Sequence, residues 1–176
     1  MSRIKISDIK ESDLPLICLV DDRRGFMSWI IKAHSRGNYN HIQELHKLTH
    51  FASQDFKGFR EVPIEKYLKP HITLKFWKPI LDKNEKQLWK DCIGLELQES
   101  WWKRRYDFIG LLGQLLPFRW TRKLNNSWTR YCSERVRERI ITILEVFGPR
   151  HSTPSEWNQL FKGVKEMELF GYIIED

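Results

Sequence analysis

Short apolar runs and alternating apolar positions predict strands, most of them in the first half of the chain. The segment 15–20 (PLICLV) is an uninterrupted apolar run, which is typical of a buried strand. Residues 71–77 (HITLKFW) alternate apolar and polar side chains, which indicates a strand with one buried face. Three further strands are predicted, at 41–46 (HIQELH), at 51–54 (FASQ) after the loop 47–50, and at the C-terminal segment 167–174 (MELFGYII).

Apolar positions three to four residues apart predict the helices. The clearest helix runs from Cys132 to about Phe147, where Gly148 and Pro149 stop it. Its apolar face consists of Val136, Ile140, Ile143, Leu144 and Phe147. Another helix opens at 152–157 (STPSEW), with Thr153 as its N-cap and Pro154 in its first turn. The remaining helical predictions are 26–34, a turn at 63–69, 84–93, and a less regular segment that ends at Pro117 and contains Phe108, Leu111, Leu112 and Leu115.

The composition fits one globular domain. The chain has 176 residues, of which 41% are hydrophobic and 30% charged, and it contains no internal repeat or linker. We therefore assign residues 1–176 to a single domain of the α+β class. The formal net charge of +7 favours anionic partners, such as nucleic acid, acidic cell-wall polymers or lipid head groups.

Cysteine usage and terminal sequence bear on the cellular compartment. The three cysteines, Cys18, Cys92 and Cys132, have no CxxC spacing, so they predict neither a disulfide framework nor a zinc knuckle. The first residues lack the apolar run of a signal peptide, and no segment reaches transmembrane length. We therefore expect a protein made in the cytoplasm, with association with a virion or delivery on lysis as further options.

Cys132 is the residue with the strongest chemical context, because it stands where a loop gives way to the clearest helix. A helix N-terminus presents unpaired N–H groups and a partial positive charge, which stabilise a thiolate and a developing oxyanion. A nucleophilic Cys also needs a His within hydrogen-bond reach and a polar group that orients this His. His41 and Gln54 are candidates for these roles. The alternative is that Cys132 is a small buried apolar residue at the start of an amphipathic helix.

The order of five short segments suggests a family. They are GNYNH (37–41), FASQ (51–54), YDF (106–108), YCSERV (131–136) and TPSEW (153–157). In this order they resemble the permuted papain-like cysteine hydrolases, which include the YiiX-type proteins and are a circularly permuted branch of the NlpC-type peptidases. In that family the strand that carries the His precedes the helix that carries the Cys. The resemblance covers residues 13–162, roughly, and its most specific part is YNH followed by YCSE.

The resemblance implies a circularly permuted papain-like fold, in which a small antiparallel sheet packs on the Cys-bearing helix. It makes Cys132 the nucleophile, His41 the general base and acid, and Gln54 the third polar residue. Ser53 is the alternative to Gln54, since a shift of register by one residue changes which of them faces the site. Tyr106 would border the substrate. The implied reaction is cleavage of an amide bond in a peptide, a cell-wall stem peptide or a lipid-linked amide, without a cofactor.

Three other functions compete with this hypothesis. A descendant of the same fold that binds a ligand without catalysis has the same sequence pattern. A metal site is suggested by His34, His41, His46 and His50, but their spacing fits no compact ligand motif. The basic and aromatic segments 101–106 (WWKRRY) and 118–123 (FRWTRK) allow a nucleic-acid surface. For these segments the default expectation is that Trp101, Trp102 and Trp120 pack beneath a solvated charged surface.

Overall fold

The computed structural model describes residues 3–24, 26–35, 37–105, 132–146 and 153–174. These residues form one six-stranded antiparallel sheet with helices, so the α+β class is confirmed. The strands are β1 (Leu16–Asp22), β2 (His41–Lys47), β3 (His50–Asp55), β4 (Gly58–Pro63), β5 (Ile72–Pro79) and β6 (Met167–Ile174). The helices are α1 (Phe26–Ser35), α2 (Lys83–Gln98), α3 (Trp101–Arg104), α4 (Cys132–Leu144) and α5 (Pro154–Gly163), with 3-10 turns at Ile6–Asp8, Glu11–Asp13 and Ile64–Tyr67.

The sheet has the order β4-β3-β2-β1-β5-β6, and β1 is therefore central. Residues Leu16 to Val20 of β1 are all buried because the sheet is covered on both faces. Side chains of a strand alternate between faces, which divides the core into two clusters. One cluster contains Leu19 and Ile42 and packs against α2, α4 and α5. The other contains Cys18 and Val20 and packs against the N-terminal segment and the 3-10 turn after β4.

The sheet is larger than the small sheet expected from the sequence. Strand β4 was not predicted, because Arg60 and Glu61 interrupt its apolar residues. It is also an edge strand, which needs fewer buried side chains than a central one. Helix α2 extends five residues beyond the predicted end at Ile93. It begins after Asp82, whose carboxylate accepts hydrogen bonds from the backbone N–H groups of Asn84 and Glu85.

The two late helices follow the expected pattern at their starts. Thr153 caps α5 by accepting a hydrogen bond from the N–H of Glu156, and Pro154 is its first residue. Helix α4 begins at Cys132 as predicted but ends at Leu144. Glu145 follows with a φ of 53°, a left-handed conformation that does not continue a right-handed helix. The predicted end at Phe147 lies outside the described residues.

No helix in the described part of the chain is both long enough and apolar enough to span a bilayer.

Candidate functional site

Cys132 is the first residue of α4 and packs beside Ile42 of β2 in the cluster on the helix-covered face. The thiol is buried, with 6% of the residue exposed. Burial raises the pKa of this thiol to about 11, although the backbone N–H groups of Ile42, Ser133 and Cys132 itself act in the opposite direction. The helix N-terminus therefore supplies donors to the sulfur, as the sequence suggested, but desolvation is the larger effect. In the conformation described, Cys132 is a neutral thiol near pH 7.

His41 is the first residue of β2, and its imidazole is held by a serine. His41 Nε2 and Ser53 Oγ are 2.8 Å apart, and Ser53 is completely buried. The hydroxyl of Tyr67 also interacts with the side chain of Ser53. Desolvation lowers the pKa of His41 to about 4, despite the opposing influence of Asp55. The imidazole is therefore neutral at physiological pH and able to accept a proton.

The thiol and the imidazole lie on different sides of the sheet: Cys132 of α4 is beside Ile42, the residue that follows His41. Ile42 lies in the same cluster as Cys132, whereas Val20, the register partner of His41, lies in the other cluster. Since neighbouring residues of a strand point to opposite faces, the His41 ring begins on the face away from α4. No hydrogen bond joins the two side chains in the described structure. The fold thus brings Cys132 next to the residue that follows His41, with the two side chains on opposite faces of the sheet.

Gln54 makes its side-chain hydrogen bonds to residues other than His41. Its side-chain oxygen accepts a hydrogen bond from Nε of Arg135 at 2.8 Å, and its side-chain nitrogen donates to the carbonyl oxygen of Arg104 at 3.1 Å. Ser53, one residue earlier, occupies the position next to the imidazole. The geometry therefore favours Ser53 over Gln54 as the third polar residue. The reason is strand alternation, which gives Ser53 the face of His41 and Gln54 the face of α4.

A cavity of about 270 Å³ lies beside His41 where β1 and β3 end and β2 and β5 begin. Its walls combine apolar side chains with Asp55, Lys66, Tyr67 and His71. Cys132 is not among the lining residues. The cavity therefore gives the imidazole access to solvent and space on its own side of the sheet.

A buried charged network, which the sequence analysis did not identify, fixes α4 to the sheet. Arg139 binds Glu44 of β2 with two guanidinium nitrogens and also reaches Glu96 of α2. Arg135, four residues earlier, binds Glu96 and Glu99. A signal was present in the sequence, because Arg135 and Arg139 fall on the apolar face of the predicted helix. Charged residues at buried positions imply partners of opposite charge.

The metal hypothesis finds no support in the arrangement of donors. His46 lies 3.0 Å from Glu61, and His50 bonds to Thr49, so these two rings have separate partners. In the described ranges, no three His, Cys, Asp or Glu side chains come together in a way that could hold a metal ion. The side chain of His34 and the whole of Tyr106 lie outside what the structure describes. Tyr106 therefore remains a prediction.

The expectation that Trp101 and Trp102 pack beneath a solvated charged surface is wrong. Trp101 and Trp102 are 55% and 65% exposed, and the guanidinium of Arg105 lies over both rings. Trp120 is outside the described residues. A helix of only four residues at the surface offers too little neighbouring structure to bury two indole rings. The two side chains thus belong to the protein surface.

The architecture defines this chain as a protein of YiiX-like α+β fold. Among solved structures, it is similar to the crystal structure of the metalloprotein YiiX from Escherichia coli O157:H7, described as DUF1105. The TM-score is 0.52 at 16% sequence identity, and the match covers 92% of this chain and 87% of that chain. No model of a protein family matches the sequence, and neither does any curated protein. At this identity the likeness establishes the fold and not the activity.

We expect the reactivity of Cys132 to follow the pH dependence of a buried thiol. Because only the thiolate attacks iodoacetamide, its alkylation rate should rise about tenfold for each pH unit from about 7 to 10. The measurement is peptide mass spectrometry after timed labelling, with the urea-unfolded protein as reference. A rate that reaches its plateau near neutral pH would show instead that the resting thiol is already ionised.

Proposed function

We propose that this protein is a cysteine-dependent hydrolase that cleaves an amide bond, with a circularly permuted papain-like arrangement of its site. The amide belongs to a peptide, a cell-wall stem peptide or a lipid-linked group. One observation carries the proposal. The thiol of Cys132 lies at a helix N-terminus, beside the backbone N–H that directly follows His41, and the imidazole of His41 is already oriented by Ser53.

The orientation of the imidazole suits a base. Ser53 occupies Nε2, so Nδ1 is the nitrogen that would take the thiol proton. The ring lies on the face of Ser53 and the sulfur on the face of α4, so the reaction requires a change of the backbone at the start of β2 that carries His41 to the side of the thiol. His41 is the first residue of β2, where the pairing with β1 ends. Ser53 orients the ring in the conformation described, whereas Gln54 is on the face of α4.

The chemistry follows from the protonation states of the two groups. With a thiol pKa of about 11 and an imidazole pKa of about 4, both are neutral at pH 7, so proton transfer accompanies attack. The sulfur forms a bond to the amide carbonyl carbon, and His41 accepts the thiol proton. The N–H of Cys132 stabilises the oxyanion. His41 then protonates the leaving nitrogen as the C–N bond breaks, and water hydrolyses the thioester. Tyr106 would border the substrate.

The experiment uses p-nitrophenyl acetate as a minimal acyl donor, with intact-mass spectrometry to detect an acetyl-enzyme. We expect acetylation at Cys132, its loss in Cys132→Ala, and a reduction of about a hundredfold in His41→Ala. Cys92→Ala is the matched control, since Cys92 is a partly exposed thiol on α2. Ser53→Ala should slow acetylation more than Gln54→Ala, in assays at a temperature at which every variant remains folded. Acetylation that is insensitive to His41→Ala would contradict the proposal.

A binding protein of the same fold is the second candidate. The separation of the thiol from the imidazole and the raised thiol pKa favour it. Under this alternative Cys132→Ala would leave ligand binding at the cavity intact, and no acyl donor would modify the wild-type chain at Cys132.

A further inference from the structure

Lys75 is a buried lysine of β5 that the proposed reaction does not use. The residue is 2% exposed, and its ammonium donates a hydrogen bond to Oδ1 of Asn158 on α5 at 2.6 Å. The nitrogen lies 4.8 Å from the ring centre of Trp77, 5.2 Å from that of Tyr172 and 5.9 Å from that of Tyr39. Within the described ranges it pairs with no carboxylate. A buried ammonium without such a partner lowers the stability of a fold, which makes Lys75 a candidate for a chemical role.

A polar cavity of about 240 Å³ adjoins this lysine. Tyr39 and Asn158, which flank the ammonium, also line the cavity. The other lining residues are Gly37, Asn38, Ser155, Glu156 and Gln159. The nitrogen of Lys75 therefore lies one side chain behind the cavity wall. Because Tyr39 is partly exposed, a displacement of its ring is sufficient to open the amine to a small molecule in the cavity.

The surroundings of Lys75 favour the neutral form of its amine. Desolvation, assisted by the positive charge of Lys162, lowers the pKa of Lys75 from 10.5 to about 8. About a tenth of the amine is therefore neutral at pH 7, against roughly 1 in 3000 for a lysine of ordinary pKa. A desolvated lysine that is partly neutral is a nucleophile towards carbonyl carbon atoms.

We infer that the amine of Lys75 is a covalent binding site for a small aldehyde, which enters from this cavity and is held as a protonated imine. The faces of aromatic rings attract a cation. A protonated imine keeps the positive charge near the three rings and keeps one N–H for Oδ1 of Asn158. An acylated amine would lose the charge, and a carbamate would place an anion against the same rings. The aromatic surroundings therefore favour an aldehyde over an acyl donor or carbon dioxide.

The covalent step needs no other reactant than water. The ammonium releases a proton to water, and the neutral nitrogen forms a bond to the carbonyl carbon while one of its protons moves to the carbonyl oxygen. The resulting hydroxyl group takes up a proton, the C–O bond breaks and water leaves. The ammonium and the aldehyde thus give a protonated imine and one water molecule, with the charge conserved. The inference does not depend on the proposed hydrolase activity.

The test uses the full-length protein at pH 7 with glycolaldehyde and sodium cyanoborohydride, which reduces an imine to a stable secondary amine. Timed samples are digested, and the labelled lysines are quantified by peptide mass spectrometry. Lys75 should be labelled at least about tenfold faster than Lys78, because a larger fraction of its amine is neutral. Lys78 is the control within the same strand, since its side chain is 25% exposed and pairs with Asp13 at 2.9 Å. In the urea-unfolded protein the two rates should be equal.

Gln159→Trp tests the route of entry, because an indole at this exposed position of α5 would fill the cavity. It should slow the labelling of Lys75 and leave that of Lys78 unchanged. Gln87→Trp, the same change at an exposed position of α2, is the matched control and should be labelled as the wild type is. Cys132→Ala should also leave the labelling unchanged. The inference is overturned if Lys75 of the folded wild type is labelled no faster than Lys78, or if Gln159→Trp leaves the labelling of Lys75 unchanged.

Discussion

Replacing Arg139 by Met should lower the free energy of unfolding by about 3–5 kcal/mol, measured by urea titration with circular dichroism. Arg139 is 2% exposed and Glu44 is completely buried. The paired carboxylates raise the pKa of the guanidinium, which remains charged. Met preserves much of the side-chain volume but, among the residues that the structure describes, leaves the Glu44 carboxylate with only the indole N–H of Trp89, at 2.9 Å, as a donor. The free-energy cost of the unpaired Glu44 charge is larger than the cost of the small change in side-chain volume.

The double variant Glu44→Leu/Arg139→Met separates charge from packing. Removing both ions takes away the desolvation penalty as well as the attraction, so the double variant should recover most of the lost stability. Arg137→Met is the matched control, since Arg137 lies on the same helix and is only partly buried. If Arg139→Met lowers the free energy of unfolding by less than about 1 kcal/mol, the ion pair between Arg139 and Glu44 does not hold α4 in place.

The network links stability to the candidate site through the position of α4. Arg135 and Arg139 connect this helix to β2, β3 and α2, and Cys132 begins the same helix. His41 begins β2, three residues before Glu44. The ion pairs therefore fix the register between the strand with the imidazole and the helix with the thiol. A variant that loosens them should change the reactivity of Cys132 together with the free energy of unfolding.

Much of the fold could be predicted because the relevant signals are local. Strands β1, β2, β3, β5 and β6 have apolar runs or alternation, and α4 and α5 have periodic apolar faces with capping residues. Strand β4 could not be predicted because its polar residues pair with β3 at an edge of the sheet, a condition that is set by the whole sheet. The order of strands likewise depends on long-range pairing.

The candidate site was predictable as a set of positions, but not as a set of contacts. The start of a helix at Cys132 and of a strand at His41 follow from local pattern. The choice between Ser53 and Gln54 depends on which face each side chain takes, and one residue of register reverses it. The pKa of Cys132 was expected to fall because of the helix N-terminus, yet burial in the core raises it. Desolvation depends on tertiary packing and has no signature in a short motif.

The contribution of Lys75 to stability should increase between pH 7 and about pH 9.5. This lysine is 2% exposed, and its ammonium donates to Asn158 at 2.6 Å and lies over the Trp77 and Tyr172 rings. Desolvation, assisted by Lys162, lowers its pKa from 10.5 to about 8. Between these two values Lys75 binds more protons in the unfolded chain than in the folded protein, so its contribution to the free energy of unfolding rises with pH. The rise attributable to Lys75 is of the order of 2 kcal/mol over this window.

Lys75→Met should remove this rise and should be more stable than the wild type at pH 7, because it replaces a buried ammonium that pairs with no carboxylate in the described part of the chain. The measurement is urea unfolding at closely spaced pH values, with the Lys75 effect taken as the difference between the two curves. The difference between the curves is needed because burial raises the pKa values of the three cysteines, which oppose the trend once thiols of the unfolded chain ionise. The pH limit matters because burial also raises the pKa values of Tyr39 and Tyr67, which oppose the trend at higher pH. Lys78→Met is the control, since Lys78 lies on the same strand and pairs with Asp13 at 2.9 Å. Parallel curves for wild type and Lys75→Met from pH 7 to about 9.5 would show that the Lys75 amine does not titrate in this range.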